Sequence, residues 1–218
     1  MASASATPTR SRRQARNRRA GGRARAPARL LAVLVALALG AGAAVAAGAL
    51  GPLGDAVREI TLPLEHEDVI RAQSAEKRLD PALVAAVIYE ESRFRDQTSH
   101  AGARGLMQIT PDTADFIAQD SGGTAFVQAD LATPELNIAY GTYYLRYLID
   151  RFDGDETLAI AAYNAGETNV NRWIERAGGR EAFDPASHIP FPETRHYVEN
   201  VAERRAEYRE HYSSELGL

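Results

Sequence analysis

The chain of 218 residues contains no cysteine. Disulfide bridges and a lipid-modified cysteine anchor are thereby excluded, and a structural zinc site loses its usual ligand. The five histidines, at positions 66, 100, 188, 196 and 211, never approach metal-ligand spacing, so neither a metal nor another cofactor is expected. A glycine-rich phosphate loop and the G-x-S-x-G elbow of serine hydrolases are also missing. Runs of alternating apolar and polar residues, the mark of half-buried strands, hardly occur. What is left points to a mainly α-helical protein.

Acidic residues and lysine are absent from residues 1–29, which carry nine arginines at positions 10, 12, 13, 16, 18, 19, 23, 25 and 29. No core forms from that composition, so it reads as a disordered basic tail. Residues 30–50, LLAVLVALALGAGAAVAAGAL, carry no charge, and their length suffices to cross a bilayer. Arginines ahead of an apolar run predict a cytoplasmic tail and an exported remainder. The segment is expected to be a membrane anchor, with a cleaved signal peptide as the alternative, since Ala44-Val45-Ala46 offers a small-residue cleavage site. From Asp55 onward, 25 basic residues less those nine leave 16 against 29 acidic ones, about −13. Such a domain has no general attraction to nucleic acid.

The clearest functional signal begins at Asp80-Pro81, a helix start in which Asp caps free amides and Pro suits the first helical position. Leu83, Val84, Val87 and Ile88 recur at spacings of three and four and predict one buried stripe. Where that stripe should continue, the chain supplies Glu90 and Glu91. Glu91 follows Ile88, Val87 and Val84 by three, four and seven residues, while Glu90 follows Leu83 by seven, so periodicity alone does not choose between them. On the apolar side, desolvation and the negative end of the helix dipole both favour a protonated carboxyl, and such a group aimed into a cleft is a general acid. The alternative is a pair of solvated glutamates at a fraying helix end.

Around this helix the chain divides as follows. Residues 51–63 read as a linker, and a first helix runs from Leu64 to Leu79. After a loop from Arg93 to Arg104, Thr110-Pro111 and Thr133-Pro134 open two further helices, the second reaching Asp153-Gly154. Short helices follow over 155–165 and 167–177, then a proline-rich loop to Pro192, whose length suits the wall of a site. A last amphipathic helix runs from Glu193 to Tyr212, and 213–218 is left as a tail.

Four blocks stand in order along this layout: Glu91-Ser92-Arg93-Phe94, Gly105-Leu106-Met107-Gln108, Ala162-Tyr163-Asn164-Ala165-Gly166 and Glu193-Thr194-Arg195-His196-Tyr197-Val198. Together they resemble the soluble lytic transglycosylase family from about residue 64 to 201. The resemblance implies a lysozyme-like helical domain with a substrate cleft over residues 64–212. It also implies that Glu91, the residue before the serine, is catalytic. Ser99, Met107 and Gln108 match sugar-contacting positions, Tyr163 and Asn164 positions facing the catalytic group, and Glu193 and Tyr197 the opposite wall. The chain departs from the family pattern in a loop from Glu91 to Ser99 one residue shorter than usual, and in Arg95-Asp96 where Asn-Pro is common. Bland readings stand beside these roles: Met107 as a core residue, Tyr163 as a packed tyrosine, Glu193 as a first-turn acid favoured by the helix dipole.

The activity implied is cleavage of the peptidoglycan strand between N-acetylmuramic acid and N-acetylglucosamine, with Glu91 acting first as acid and then as base, and with the muramic 6-hydroxyl attacking to leave a 1,6-anhydro end. Ordinary glycosidases use two carboxylates. Asp96 and Asp112 are the nearby acids, and neither belongs to a recognisable block. A hydrolytic muramidase on the same fold and a non-catalytic wall-binding module are the competing expectations. The expected setting is a monomeric, extracytoplasmic catalytic domain, held at the inner membrane through residues 30–50 or secreted.

Overall fold

The computed structural model describes residues 52–123 and 126–218. The basic tail 1–29 and the apolar segment 30–50 lie outside the described residues. Among the described residues, no helix is long and apolar enough to cross a membrane.

Proline sets where the helices begin. Of the ten described, α1 (Pro52–Thr61), α3 (Pro81–Ser92), α4 (Pro111–Asp120), α5 (Pro134–Arg151), α8 (Pro185–His188) and α9 (Pro192–His211) start on one. The ring fixes φ near the helical value and removes an amide that has no intrahelical acceptor there. Side-chain caps add to this. Asp80 accepts from Ala82 N at 3.0 Å, Thr110 from Thr113 N at 3.2 Å, and Asp155 from Leu158 N at 3.0 Å, the last opening α6 (Glu156–Ala165). The remaining helices are α2 (Glu67–Lys77), α7 (Glu167–Ala177) and α10 (Ser213–Leu216), with 3-10 turns at Gln128–Ala132 and Arg180–Ala182. Among the described residues, extended pairing is limited to the isolated bridges Thr98 with Arg104 and Arg104 with Ile109.

Three expectations are corrected. The linker assigned to 51–63 is helical over Pro52–Thr61, because Pro52 sits at the first turn and only Leu62-Pro63 breaks the run. The tail assigned to 213–218 forms α10, whose Leu216 is buried while Arg71 donates to the Glu215 carbonyl. Most informative is α3. A one-sided stripe was expected, yet every residue from Ala82 to Tyr89 is buried. Ala82, Ala85 and Ala86 are small enough to let neighbouring helices close on the remaining sides, so α3 is the central rod of the domain.

α9 packs along α3, α6 lies against both α5 and α9, and α2 crosses α3 and α5. Burial of Leu83, Val84, Val87 and Ile88 contributes about 1.5–3 kcal/mol per side chain. At the N-terminal end of α3 an ionic network fixes helix order: Arg205 and Arg209 of α9 both pair with Asp80, and Arg205 also reaches Glu156 at 2.6 Å. The hydroxyls of Tyr89, Tyr208 and Tyr212 donate to the carbonyls of Thr61, Pro63 and Leu62 at 3.0, 2.6 and 2.8 Å, pinning the end of α1 and the chain that follows it. These ties hold α3 and α9 in one register along their length, which positions their far ends, where the site lies.

Candidate active site

Glu91 is the penultimate residue of α3. The helix stops immediately after it because Arg93 and Phe94 both adopt left-handed backbone, with φ of 53° and 59°. Such conformations cost non-glycine residues about 1–2 kcal/mol each, here offset by burying the Phe94 ring beside Tyr208 at 6.3 Å. The turn leaves Glu91 facing a pocket of about 340 Å³ lined by Glu90, Glu91, Asn164, Glu193, His196, Tyr197 and Asn200.

The Glu91 carboxyl is partly buried, and Tyr197 Oη donates to its Oε1 at 2.6 Å. Loss of water raises its pKa from 4.5 to about 7; the Tyr197 hydrogen bond pulls the other way, and the charge of Glu90 adds to the rise. Desolvation wins because a single neutral donor replaces much less than a full hydration shell. At neutral pH the group is therefore poised between acid and base. Burial together with the Glu91 charge pushes the Tyr163 and Tyr197 hydroxyls well above the ordinary tyrosine range, so both remain donors.

Tyr163, on α6, donates to the Met107 carbonyl at 2.9 Å and fixes the 105–108 loop against the site. That loop is built on Asn137 of α5, which is fully buried. The Asn137 side chain accepts from Met107 N at 2.7 Å and donates to the carbonyls of Arg104 and Leu131 at 2.9 and 3.0 Å. Gly105 permits this: its φ is 78°, and a Cβ there would lie 2.1 Å from Asn137 Nδ2. One turn on from Asn137, Gly141 opens room for Met107, whose Sδ would come within 2.3 Å of an added Cβ. Asn164, at the end of α6, accepts from Thr194 Oγ1 at 2.7 Å and joins α6 to α9 across the pocket.

The expected residues thus divide. Glu91, Tyr197, Asn164 and Glu193 line one pocket, and Tyr163 stands behind it near enough for the Glu91 charge to act on its hydroxyl. The Met107 side chain is fully buried, so the core reading holds for its thioether, and the residue reaches the site through its carbonyl. Gln108 turns back into its own loop, donating to the carbonyls of Gln97 and Gly105 at 3.0 and 2.8 Å. Ser99 is exposed and closes the turn before it, accepting from Ala103 N at 3.1 Å. Neither Gln108 nor Ser99 lines the pocket.

Sequence reasoning missed Asn137, Asn200 and the part played by Glu90. Asn137 had a signal: it lies four residues before Gly141 and eight before Leu145, a polar side chain on a buried stripe. Asn200 and Arg204 had none, because their relation to Glu90 spans more than a hundred residues: Asn200 Nδ2 donates to Glu90 Oε2 at 3.1 Å, and Arg204 Nε stands 3.5 Å from Oε1. Among the described residues no cluster suits a metal ion. A larger depression of about 840 Å³ lies elsewhere, between the ends of α2, α4 and α5. Most of its charges are paired with one another or with residues beside it, as in Arg146 with Asp150 and Arg151 with Glu167, and it shares no residue with the Glu91 pocket.

Residues 68–184 match the transglycosylase SLT domain family. Over 162 residues the chain is 35% identical to the soluble lytic murein transglycosylase of Escherichia coli (strain K12), covering 73% of this chain and 25% of that protein. It is 34% identical over 132 residues to a membrane-bound lytic murein transglycosylase F of Pseudomonas fluorescens, covering 51% of this chain and 25% of the other. The crystal structure of the 70 kDa soluble lytic transglycosylase of Escherichia coli superposes with a TM-score of 0.65 at 34% identity, over 76% of this chain and 27% of that one. The chain spans about a quarter of the length of these relatives. The family match ends before α9, so Glu193 and Tyr197 enter the site on geometry.

Proposed function

The chain belongs to the transglycosylase SLT domain family, and from that premise we propose that its helical domain is a peptidoglycan lytic transglycosylase with Glu91 as its catalytic residue. The observation that carries this reading is a carboxyl raised to about 7 by burial at the edge of a pocket, with a tyrosine hydroxyl 2.6 Å away. A group with that pKa gives up a proton to a glycosidic oxygen and takes one back at nearly the same pH. As the bond between N-acetylmuramic acid and N-acetylglucosamine lengthens, positive charge grows at the anomeric carbon. The neighbouring N-acetyl oxygen of the sugar steadies it. Glu91, now an anion, accepts the proton of the muramic 6-hydroxyl, whose oxygen closes onto the anomeric carbon as the 1,6-anhydro ring. No water is consumed, and Glu91 ends protonated again.

In this scheme Tyr197 holds the Glu91 anion while it waits as base. Asn164, fixed by Thr194, offers its amide group to the N-acetyl substituent, and Glu193 borders the opposite wall. Met107 and Gln108 lie in the 105–108 loop that Tyr163 holds in place and Ser99 in the turn before it, outside the Glu91 pocket, and their part is to shape the surface along which the strand runs beyond the cleaved bond. Residues 1–29 are the cytoplasmic tail and 30–50 the anchor or signal segment, with the catalytic domain outside the cytoplasm on the wall.

A second reading, hydrolysis, is favoured by one feature: Glu90 and Glu193 share the pocket with Glu91 and offer carboxylates able to activate water. Mass spectrometry of digested peptidoglycan separates the two. Anhydromuropeptides, lighter by one water than hydrolytic products, are expected; reducing muropeptides alone would establish a muramidase, and intact sacculi a binding module.

A further inference from the structure

Two consecutive glutamates end α3, and the mechanism uses only one of them. Glu90 sits in the same pocket as Glu91 but is held differently. Asn200 Nδ2 donates to its Oε2 at 3.1 Å, and the Arg204 guanidinium stands 3.5 Å from its Oε1. Arg204 is itself set in place by α9: it pairs with Glu207 one turn on and lies over the Tyr89 ring, 4.9 Å from its centroid. A flexible surface acid would need none of this. The clamp restrains the Glu90 carboxylate to the wall next to the catalytic group.

We propose that Glu90 is a positioning residue for the cleavage step: its clamped carboxylate shares the pocket with Glu91 and repels a second negative charge there, which extends upward the pH range over which the catalytic acid works. This rests on the reading of Glu91 given above. The groups that face Glu91 are Glu90 from α3, Tyr163 from α6, and Glu193, His196 and Tyr197 from α9, with Arg204 one step behind Glu90. Of these, Glu90 is the charge that adds to the raised pKa of Glu91, against the pull of the Tyr197 donor. Two carboxylates lining one half-buried pocket repel each other, and repulsion of that kind moves a titration by about half a unit to one unit.

The test is Glu90→Gln, which keeps the shape and the acceptor oxygen for Asn200 while removing the charge, with Glu90→Asp as the charge-restoring control. The Glu91 carboxyl is titrated by NMR of the labelled side-chain carbon in the full chain without substrate, and the pH profile of anhydromuropeptide release is measured alongside. The expected result is a Glu91 midpoint lowered by about half a unit to one unit in Glu90→Gln, with the alkaline limb of activity moved down by the same amount, and both returned toward the parent in Glu90→Asp. An unchanged midpoint in Glu90→Gln overturns the proposal, as does a uniform loss of activity at every pH with the limb in place. A midpoint shifted in Glu90→Gln, when the parent itself releases no anhydromuropeptides, upholds the coupling and sinks the lytic reading instead, so the two fail separately.

Discussion

Tyr197 Oη donates to Glu91 Oε1 at 2.6 Å, joining the end of α3 to the first turns of α9 across 106 residues of sequence. This hydrogen bond favours the Glu91 anion, while burial favours the acid, and burial prevails. The balance between them governs how the site responds to pH.

Replacing Tyr197 by Phe removes the donor and leaves the ring. The Glu91 pKa then rises above about 7, by roughly one unit for the loss of one hydrogen bond to a charged group. The alkaline limb of the activity profile moves up by the same amount, while turnover at neutral pH falls roughly 10- to 100-fold because Glu91, with its anion less stabilised, is a weaker acid toward the glycosidic oxygen. A profile with its limb unmoved would refute the role given to this contact.

Glu91→Gln should abolish the release of anhydromuropeptides, lowering turnover by at least about a thousandfold. Gln has nearly the same shape, so the circular dichroism spectrum and binding to sacculi are expected to persist. Clearing of a peptidoglycan suspension at the parent rate would remove Glu91 from the reaction.

The same substitution should stabilise the fold, in a pH-dependent way. The folded state holds the Glu91 proton up to about 7, whereas the ordinary carboxyl releases it near 4.5. Between those values the folded chain binds more protons than the unfolded one, so stability is full below the lower value and declines as pH rises through the upper. The loss amounts to at most about 3 kcal/mol. Glu91→Gln escapes it, so urea unfolding should show the variant more stable than the parent by up to that amount at about pH 8 and nearly equal at about pH 4. The opposite ordering would mean that the carboxylate is welcome where it sits.

Asn137→Ala leaves Met107 N and the carbonyls of Arg104 and Leu131 without their partner in a buried place. The expected cost is on the order of 3 kcal/mol, and with the Met107 carbonyl displaced, Tyr163 loses its anchor and activity falls with stability. Gly105→Ala should cost at least as much, since both its φ and the space around it forbid a methyl group. Denaturant midpoints of the two variants test this; two values within error of the parent would show that the loop is held by other means.

Much of the scaffold was legible in the chain because its signals are local. Asp80-Pro81, Thr110-Pro111, Thr133-Pro134 and Asp155 mark helix starts through hydrogen bonds and ring geometry that involve only a few successive residues. Helix α1 was misread as linker because Gly51-Pro52, Gly54 and Pro63 suggest breaks, and these outweighed the helical spacing of Leu53, Val57 and Ile60. The single stripe inferred for α3 failed for a different reason: periodicity records which residues are apolar, and alanine is silent about whether a neighbour will cover it.

By itself the sequence determined that the folded part is helical, where most helices begin, and that a glutamate pair stands where apolar residues should continue. The choice of Glu91 over Glu90 came from the family that the four blocks resemble. Only the tertiary structure decided that Tyr197 reaches Glu91, that Asn200 and Arg204 hold Glu90, that Asn137 carries the 105–108 loop, and that Met107 turns its thioether inward. Those relations depend on which surfaces of α3, α5, α6 and α9 meet. Helix order and register follow from close packing among all of them together, so no short stretch of chain contains the information.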